Sequence, residues 1–221
     1  MALLITYKTE LLMKKLLLTL LFVWLANPLL AQDFNAGEHY DVVSSDVSAS
    51  KQVMEFFSYF CPHCYNFEPI AQQLKTSLPA TVSFKRAPVS FLGRDMGPEL
   101  QRAYALAVAL DLEHRITPAL FARIHTERKA PANRAEVKAL FAEHGVAPDV
   151  FDSRIDSMPI LADVAGYDSI REKLNITSVP TFVVNGKYAI KIGALKSQQQ
   201  FNDLVSYLLN LDAQESDNAT D

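Results

Sequence analysis

The residues of this chain best suited to redox chemistry are Cys61 and Cys64, its only cysteines, which are separated by two residues. They follow an apolar run over residues 53–60 that is typical of a buried strand, and they precede a helical pattern. A helix N-terminus carries unpaired N–H donors and a partial positive charge. Both features stabilise a thiolate relative to its thiol, so the sequence predicts a redox-active dithiol here.

Three other roles are common for two cysteines at this spacing. A structural disulfide between Cys61 and Cys64 would close a very small loop and remove little entropy from the unfolded chain. Structural zinc usually takes four Cys or His ligands, but the chain has no second pair, and His63 lies inside this one. A c-type haem site has His directly after the second cysteine, where this chain has Tyr65. The redox dithiol is favoured, and structural and metal-binding roles stay open.

The two residues between the cysteines indicate the direction of the chemistry. We expect Cys61 to be the exposed nucleophile at the helix start and Cys64, one turn inward, to resolve the mixed disulfide. Pro62 suits the first helical position, because it lacks a donor that would have no partner there. His63 can place a positive charge or a hydrogen bond near the Cys61 sulfur. A stabilised thiolate makes the reduced form stable and the disulfide a strong oxidant.

Two further features lie outside the cysteine motif. Glu55 is a carboxylate in an otherwise apolar strand, which is costly unless it has a partner; the alternative is a position at a solvated sheet edge. Val179 and Pro180 come just before a predicted strand. A proline at such a position can adopt the cis bond, and extended backbone there can pair with a substrate peptide. Taken alone, the Val-Pro pair is weak evidence for such a site, because most such pairs are ordinary trans turns.

The elements that would position these residues change in type along the chain. Strands are predicted over residues 40–43, 53–57, 81–89, 181–184 and 187–192. Between the third and fourth strands the pattern is helical only, with one helix beginning at Thr117-Pro118 and another capped by Asn133. Asn185-Gly186 is a strong hairpin pattern. The order predicts an α/β sheet domain interrupted by an all-helical insertion, so the two halves of the sheet must meet in space.

The N-terminus has the layout of a secretory signal peptide. Lys14 and Lys15 precede a short apolar run, and Ala31 offers a small residue for cleavage. Met13 would make a conventional start just before the basic pair. We predict a signal peptide over residues 1–31, which places both cysteines in an oxidising compartment after export.

Composition and pattern indicate the size of the fold, the expected partners and the bounds of its parts. The chain has 221 residues, of which 49% are hydrophobic, enough for one domain with a core. Charges of both signs are mixed, so nucleic acid is not an expected partner. Loss of residues 1–31 removes three lysines and one glutamate and changes the formal net charge from −4 to −6. The predicted parts are the first sheet segment (32–92), the helical insertion (93–174), the second sheet segment (175–212) and a disordered tail (213–221).

With these residues assembled, the chain resembles the DsbA family of thiol:disulfide interchange proteins of the bacterial periplasm. The resemblance covers nearly all of the predicted mature chain and is carried by residues 55–65, 91–93, 179–180 and 184–188. The Cys-Pro-His-Cys run is specific within thioredoxin-like folds, since relatives that reduce or isomerise disulfides generally carry Gly at the position of Pro62. The resemblance implies a thioredoxin-like α/β fold interrupted by the helical insertion, with Pro180 cis and opposite Cys61.

The resemblance also implies an activity and partners. The protein would donate its Cys61–Cys64 disulfide to reduced, unfolded, newly exported proteins and be reoxidised by a DsbB-like, quinone-linked membrane protein. We expect a monomer in the periplasm with no cofactor. Where the family has a buried lysine that handles protons with the glutamate, this chain aligns Arg86. Lys85 is adjacent, so the sequence leaves open which basic residue faces Glu55.

Two other functions remain as alternatives. A disulfide isomerase or reductase would be expected to carry a dimerisation module, and no segment looks like one. A periplasmic metal carrier could use the two thiolates and His63, but it needs further soft or imidazole ligands. His125 and the other histidines outside the motif show no metal-ligand spacing, and we expect them to be surface residues or to be satisfied by neighbours.

Overall fold

The computed structural model describes residues 33–218, with side chains as far as residue 211. In that range it shows five strands and seven α-helices, which confirms the predicted α/β class. The predicted signal peptide and the start at Met13 lie outside the described residues. Within residues 33–218, no helix combines the length and apolar character needed to cross a bilayer.

The five strands form one sheet. They are β1 (Tyr40–Val42), β2 (Gln52–Phe57), β3 (Ser83–Pro88), β4 (Thr181–Val184) and β5 (Tyr188–Ile190). Their order is β1-β5-β4-β2-β3, with β2 and β3 parallel and the other neighbours antiparallel. Strands β2 and β4 are adjacent although the whole helical insertion separates them in sequence. The predicted meeting of the two halves of the sheet is therefore confirmed.

The helices fill the intervals between strands. They are α1 (Pro62–Ser77), α2 (Met96–Ala109), α3 (Glu113–Phe121), α4 (Arg134–Glu143), α5 (Pro148–Arg154), α6 (Met158–Lys173) and α7 (Gln198–Asn218). Helices α2 to α6 all lie between β3 and β4. The predicted cap of α4 is confirmed, because the Asn133 side chain accepts the Glu136 N–H at 3.1 Å.

Two predicted helix boundaries were wrong. Helix α3 begins at Glu113, four residues before Thr117, so Pro118 lies inside the helix. Burial of Ile116 ahead of Pro118 outweighs the one hydrogen bond that the proline removes. Helix α7 continues to Asn218, so the predicted tail is helical over residues 213–218. Its Gln and Glu residues are good helix formers, and extending an existing helix costs little.

Apolar side chains cover both faces of the sheet. On one face, Val53 and Phe182 pack with Leu204 of α7. On the other, Phe56 and Val183 belong to a second buried cluster. This alternation follows from the two-residue period of a strand. Glu55 lies on the same face as Val53, and β2 is an interior strand because β4 and β3 pair with its two edges.

The turn that follows β4 joins the last two strands as predicted. Asn185 and Gly186 have φ values of 52° and 68°, the positive angles that both central residues of a type I′ turn require. The Lys187 N–H donates to the Val184 carbonyl at 3.0 Å and closes the turn. Since register follows from the turn, this hairpin sets β5 against β4. The separate pairing of β4 with β2 places the preceding Val179 and Pro180.

Candidate functional site

The cysteine motif occupies the start of α1. Cys61 is the N-cap, with extended φ and ψ of −90° and 113°, and Pro62 takes the first helical position. The Cys64 N–H donates to the Cys61 sulfur at 3.3 Å. The Cys61 sulfur thus accepts one of the N–H groups that a helix start leaves without an intrahelical partner.

The two thiols differ in their access to solvent. Both are free in this structure, with Cys61 5% exposed and Cys64 fully buried. The prediction that Cys61 is exposed was therefore wrong, because very little of its surface reaches solvent. Burial raises the pKa of the Cys64 thiol well above its usual value, and a backbone hydrogen bond from Ser58 opposes the shift. A thiolate is therefore disfavoured at Cys64.

Val179 and Pro180 lie beside Cys61. The peptide bond between them is cis, as the resemblance implied. The Cys61 thiol donates to the Val179 carbonyl at 3.4 Å, across 118 positions of sequence. This contact exists because β4, which begins at Thr181, pairs with β2, whose end leads into the cysteine motif.

The buried carboxylate in β2 has a basic partner on the neighbouring strand. Glu55 and Arg86 are directly opposite in the parallel register, and Glu55 Oε2 lies 2.7 Å from Arg86 Nε. Glu55 is fully buried, so the alternative of a solvated sheet edge was wrong. Burial raises the Glu55 pKa to about 7, although Arg86 acts in the opposite direction. Arg86 faces Glu55, whereas Lys85 is exposed, which settles the question the sequence left open.

Arg86 also binds two carboxylates that the sequence did not single out. Glu68 of α1 accepts from both of its terminal nitrogens, at 3.1 and 2.5 Å. Glu113, the first residue of α3, accepts at 3.1 Å and also pairs with Lys75 of α1. The guanidinium therefore joins the sheet, the helix that carries the cysteines and the helical insertion. Its carboxylate neighbours raise the already high Arg86 pKa, so this group stays positively charged.

The comparisons with known proteins agree with this geometry. Residues 52–206 match the family model for a DSBA-like thioredoxin domain. The chain belongs to the DsbA family. The thiol:disulfide interchange protein DsbA of Dickeya dadantii is 34% identical over 207 residues, which cover 90% of this chain and 99% of that protein.

Solved DsbA structures have the same fold. DsbA from Pseudomonas aeruginosa superposes with a TM-score of 0.76 at 32% identity, over 85% of this chain and 98% of that one. A Proteus mirabilis DsbA variant, in complex with the non-covalently bound peptide PWATCDS, gives a TM-score of 0.74 at 30% identity. That match covers 80% of this chain and 98% of the Proteus chain. These matches confirm the thioredoxin-like DsbA fold predicted from the sequence.

The remaining residues of the motif in this DsbA-family protein, Pro62 and His63, both face solvent. Among the described contacts, the His63 ring makes no hydrogen bond to Cys61. Any effect of His63 on the Cys61 thiolate must therefore act through charge in this conformation.

Gly93 and Phe60 show how closely the chain packs beside Cys61. Gly93 has a φ of +85°, and a Cβ at that position would lie 2.2 Å from the Phe60 ring. Only glycine meets both the positive φ and the close approach without strain. The junction at residues 91–93, noticed in the sequence for its resemblance, is thus needed to seat the residue before the nucleophile.

A cavity of about 770 Å³ lies beside the charge network of Arg86. Residues of β3 and of helices α2, α3 and α6 form most of its wall, and Arg86, Tyr104 and Glu113 are among them. Neither cysteine lines it, so it is separate from the reacting atoms.

Proposed function

We propose that this thiol–disulfide oxidoreductase of the DsbA family gives its Cys61–Cys64 disulfide to reduced, newly exported proteins. The observation that carries the proposal is the contrast between the two cysteines. Cys61 caps a helix and lies against the Val179 carbonyl, whereas Cys64 is fully buried where a thiolate is disfavoured. Stabilisation of one thiolate at a helix N-terminus favours the reduced form and so favours giving the disulfide away.

The reaction moves two electrons from the client to the protein. A client thiolate attacks the Cys61 sulfur of the disulfide, the Cys61–Cys64 bond breaks, and Cys64 leaves as a thiolate. A second client thiolate then attacks the client sulfur in the mixed disulfide. The client gains a disulfide, and Cys61 leaves as a thiolate. The protein ends as the dithiol, which is the form present in this structure.

Glu55 and Arg86 are assigned to proton handling in the first step. The departing Cys64 sulfur is buried and takes up a proton readily, because its thiolate is costly there. Glu55, with its pKa near 7, can hold or release a proton at neutral pH, and its charge raises the Cys64 pKa. Arg86 keeps the ionised form of Glu55 tolerable inside the protein.

Clients are unfolded polypeptides that bind in extended form beside Val179 and Pro180. The Val179 carbonyl contacts the Cys61 sulfur, so backbone at this position lies next to any client sulfur joined to Cys61. Extended peptides pair well with such backbone. The Proteus mirabilis relative was solved with a non-covalently bound peptide that contains a cysteine.

The cellular setting follows from the N-terminal sequence and the family. Residues 1–31 serve as the export signal, the mature protein works as a monomer in the periplasm, and no cofactor takes part. A quinone-linked membrane protein of the DsbB type restores the Cys61–Cys64 disulfide after each cycle. Without such an acceptor for the two electrons, the protein would stop after one turnover.

Equilibration of the purified mature protein with glutathione tests the proposal, together with oxidative refolding of a reduced substrate. We expect a potential well above the roughly −270 mV of thioredoxin and faster refolding than with glutathione alone. A potential near that of thioredoxin, or no stimulation of refolding, would contradict a disulfide donor.

The same experiment separates the alternatives. A reductase or isomerase would reshuffle a scrambled substrate faster than it oxidises a reduced one. A metal carrier would need ligands beyond the two thiolates. Within residues 33–218, no group of three or more His, Cys, Asp or Glu side chains is arranged to hold a metal ion.

A further inference from the structure

Helix α3 of the insertion does not simply stop after Phe121. The chain continues as a π-helical turn, Ala122–Thr126, and such turns are frequent at functional sites. The wider turn changes the angle between successive side chains. It directs His125 and Thr126 towards the segment that carries the cysteines.

His125 makes two contacts with that segment. Its Nε2 lies 2.8 Å from the Tyr59 carbonyl oxygen, and since a carbonyl only accepts, Nε2 carries the hydrogen and donates it. Its ring also stacks on Tyr65, with ring centroids 5.0 Å apart and planes 14° apart. The Tyr65 hydroxyl is 2.9 Å from the Thr126 hydroxyl. One histidine thus touches residues on both sides of the Cys-x-x-Cys motif.

The Tyr59 side chain anchors the segment before Cys61 to helix α3. Its ring is buried against Phe121, and its hydroxyl lies 2.9 Å from that of Thr117. The backbone carbonyl that His125 holds therefore belongs to a residue already anchored to α3. Tyr59 is two residues before Cys61, so movement of its peptide would move the nucleophile directly.

We propose that His125 is a positioning residue for disulfide exchange, which holds the backbone before Cys61 and the first turn of α1 in register with the insertion. The proposal rests on the proposed function, since it concerns the rate of that reaction. Exchange requires the attacking, central and leaving sulfurs to align, and small displacements of reacting groups cost large factors in rate. The residue acts through Tyr59 and Tyr65, without touching either sulfur.

Two substitutions of His125 test the proposal. His125→Ala removes the donor and the stacked ring, and we expect kcat/KM for oxidation of a reduced peptide to fall about tenfold. His125→Gln keeps an N–H that can donate to the Tyr59 carbonyl, and we expect it to recover most of that loss. The control is His144→Ala, a half-buried histidine at the end of α4, which should leave kcat/KM unchanged. Thermal unfolding and the glutathione potential are measured for every variant.

The outcomes separate this inference from the proposed function. If the wild-type protein oxidises the peptide and the Ala variant does so equally fast, His125 does not position the site. If the Ala and Gln variants lose rate equally and in step with their Tm, the histidine is only structural, and the proposal is again overturned. Failure of the wild-type protein itself to oxidise the peptide would instead contradict the proposed function.

Discussion

Glu55 Oε2 lies 2.7 Å from Arg86 Nε, on directly opposite positions of the parallel strands β2 and β3. Both side chains are shielded from solvent, and Glu68 and Glu113 share the same guanidinium. One cation therefore faces three carboxylates. Burial, and to a smaller extent the charges of Glu68 and Glu113, raise the Glu55 pKa to about 7, although Arg86 acts in the opposite direction.

Glu55 should make stability depend on pH. Its folded pKa is raised from 4.5 to about 7, so the folded protein holds a proton that the unfolded chain releases. The resulting stabilisation is complete below about pH 4.5 and is lost as pH rises through 7, by on the order of 3 kcal/mol. Urea unfolding of the reduced protein between pH 4 and 8 measures it. Glu55→Gln should remove this part of the slope, whereas Glu172→Gln, at an exposed carboxylate of α6, should not. Parallel profiles for wild type and Glu55→Gln would contradict the prediction.

The two cysteine variants should fail in different ways. Cys61→Ser cannot form the disulfide whose Cys61 sulfur a client thiolate attacks, so it should show no oxidation of a reduced peptide. In Cys64→Ser, the Cys61 thiolate can attack the disulfide of an oxidised client and displace one client thiolate, and no Cys64 thiol is present to release the resulting mixed disulfide. Non-reducing electrophoresis with mass spectrometry should then show mixed disulfides at Cys61 only in the Cys64→Ser protein. Equal adduct formation by both variants would mean that Cys64 is the attacking residue.

Replacement of Gly93 should destabilise the fold next to the nucleophile. Gly93→Ala would place a Cβ 2.2 Å from the Phe60 ring at a φ of +85°. We expect a loss of at least about 2 kcal/mol in the free energy of unfolding. Gly166→Ala in α6 is the matched control, because a Cβ there meets no atom within 4 Å; it should stabilise by about 0.5–1 kcal/mol. Chemical denaturation measures both, and a Gly93→Ala protein as stable as wild type would contradict the clash.

His63→Ala should make the protein a weaker oxidant. Loss of a positive charge near the helix N-terminus destabilises the Cys61 thiolate and hence the reduced form. The effect should be about 1 kcal/mol, or about 20 mV towards more negative potential, since the ring is exposed. Equilibration with glutathione measures the shift. Lys138→Ala removes a charge from the insertion that pairs with Asp152 and should leave the potential unchanged; an unchanged potential in His63→Ala would rule out stabilisation of the thiolate by its charge.

Features that depend on neighbours in sequence were predictable. The cap at Asn133 and the hairpin at Asn185-Gly186 each rest on a short pattern with a local physical cause. The start of α1 at Pro62 and the apolar character of β2 are of the same kind. These patterns also predicted the order of the elements, and that order predicted that the two halves of the sheet meet, as β2 and β4 do.

Features that depend on packing between distant elements could not be predicted from the sequence. The convergence of Glu68 and Glu113 on Arg86 requires α1 and α3 to lie over the same end of β3, which no local pattern encodes. The Cys61 thiol is nearly buried and donates to a carbonyl 118 positions away. His125 was missed because a π turn breaks the 3.6-residue period by which helical faces are recognised.

Both ends of the helical insertion join the sheet domain close to the two cysteine sulfurs. At its first junction Gly93 lies under Phe60, and within it His125 lies against the Tyr59 carbonyl. Val179, which lies against Cys61, follows five residues after its end. A chimaera that received the insertion of another DsbA-family protein would therefore also receive new walls around the thiols. We expect the client preference of such a chimaera to follow the insertion that it received. The sheet domain, which carries the cysteines, should keep its disulfide chemistry unchanged.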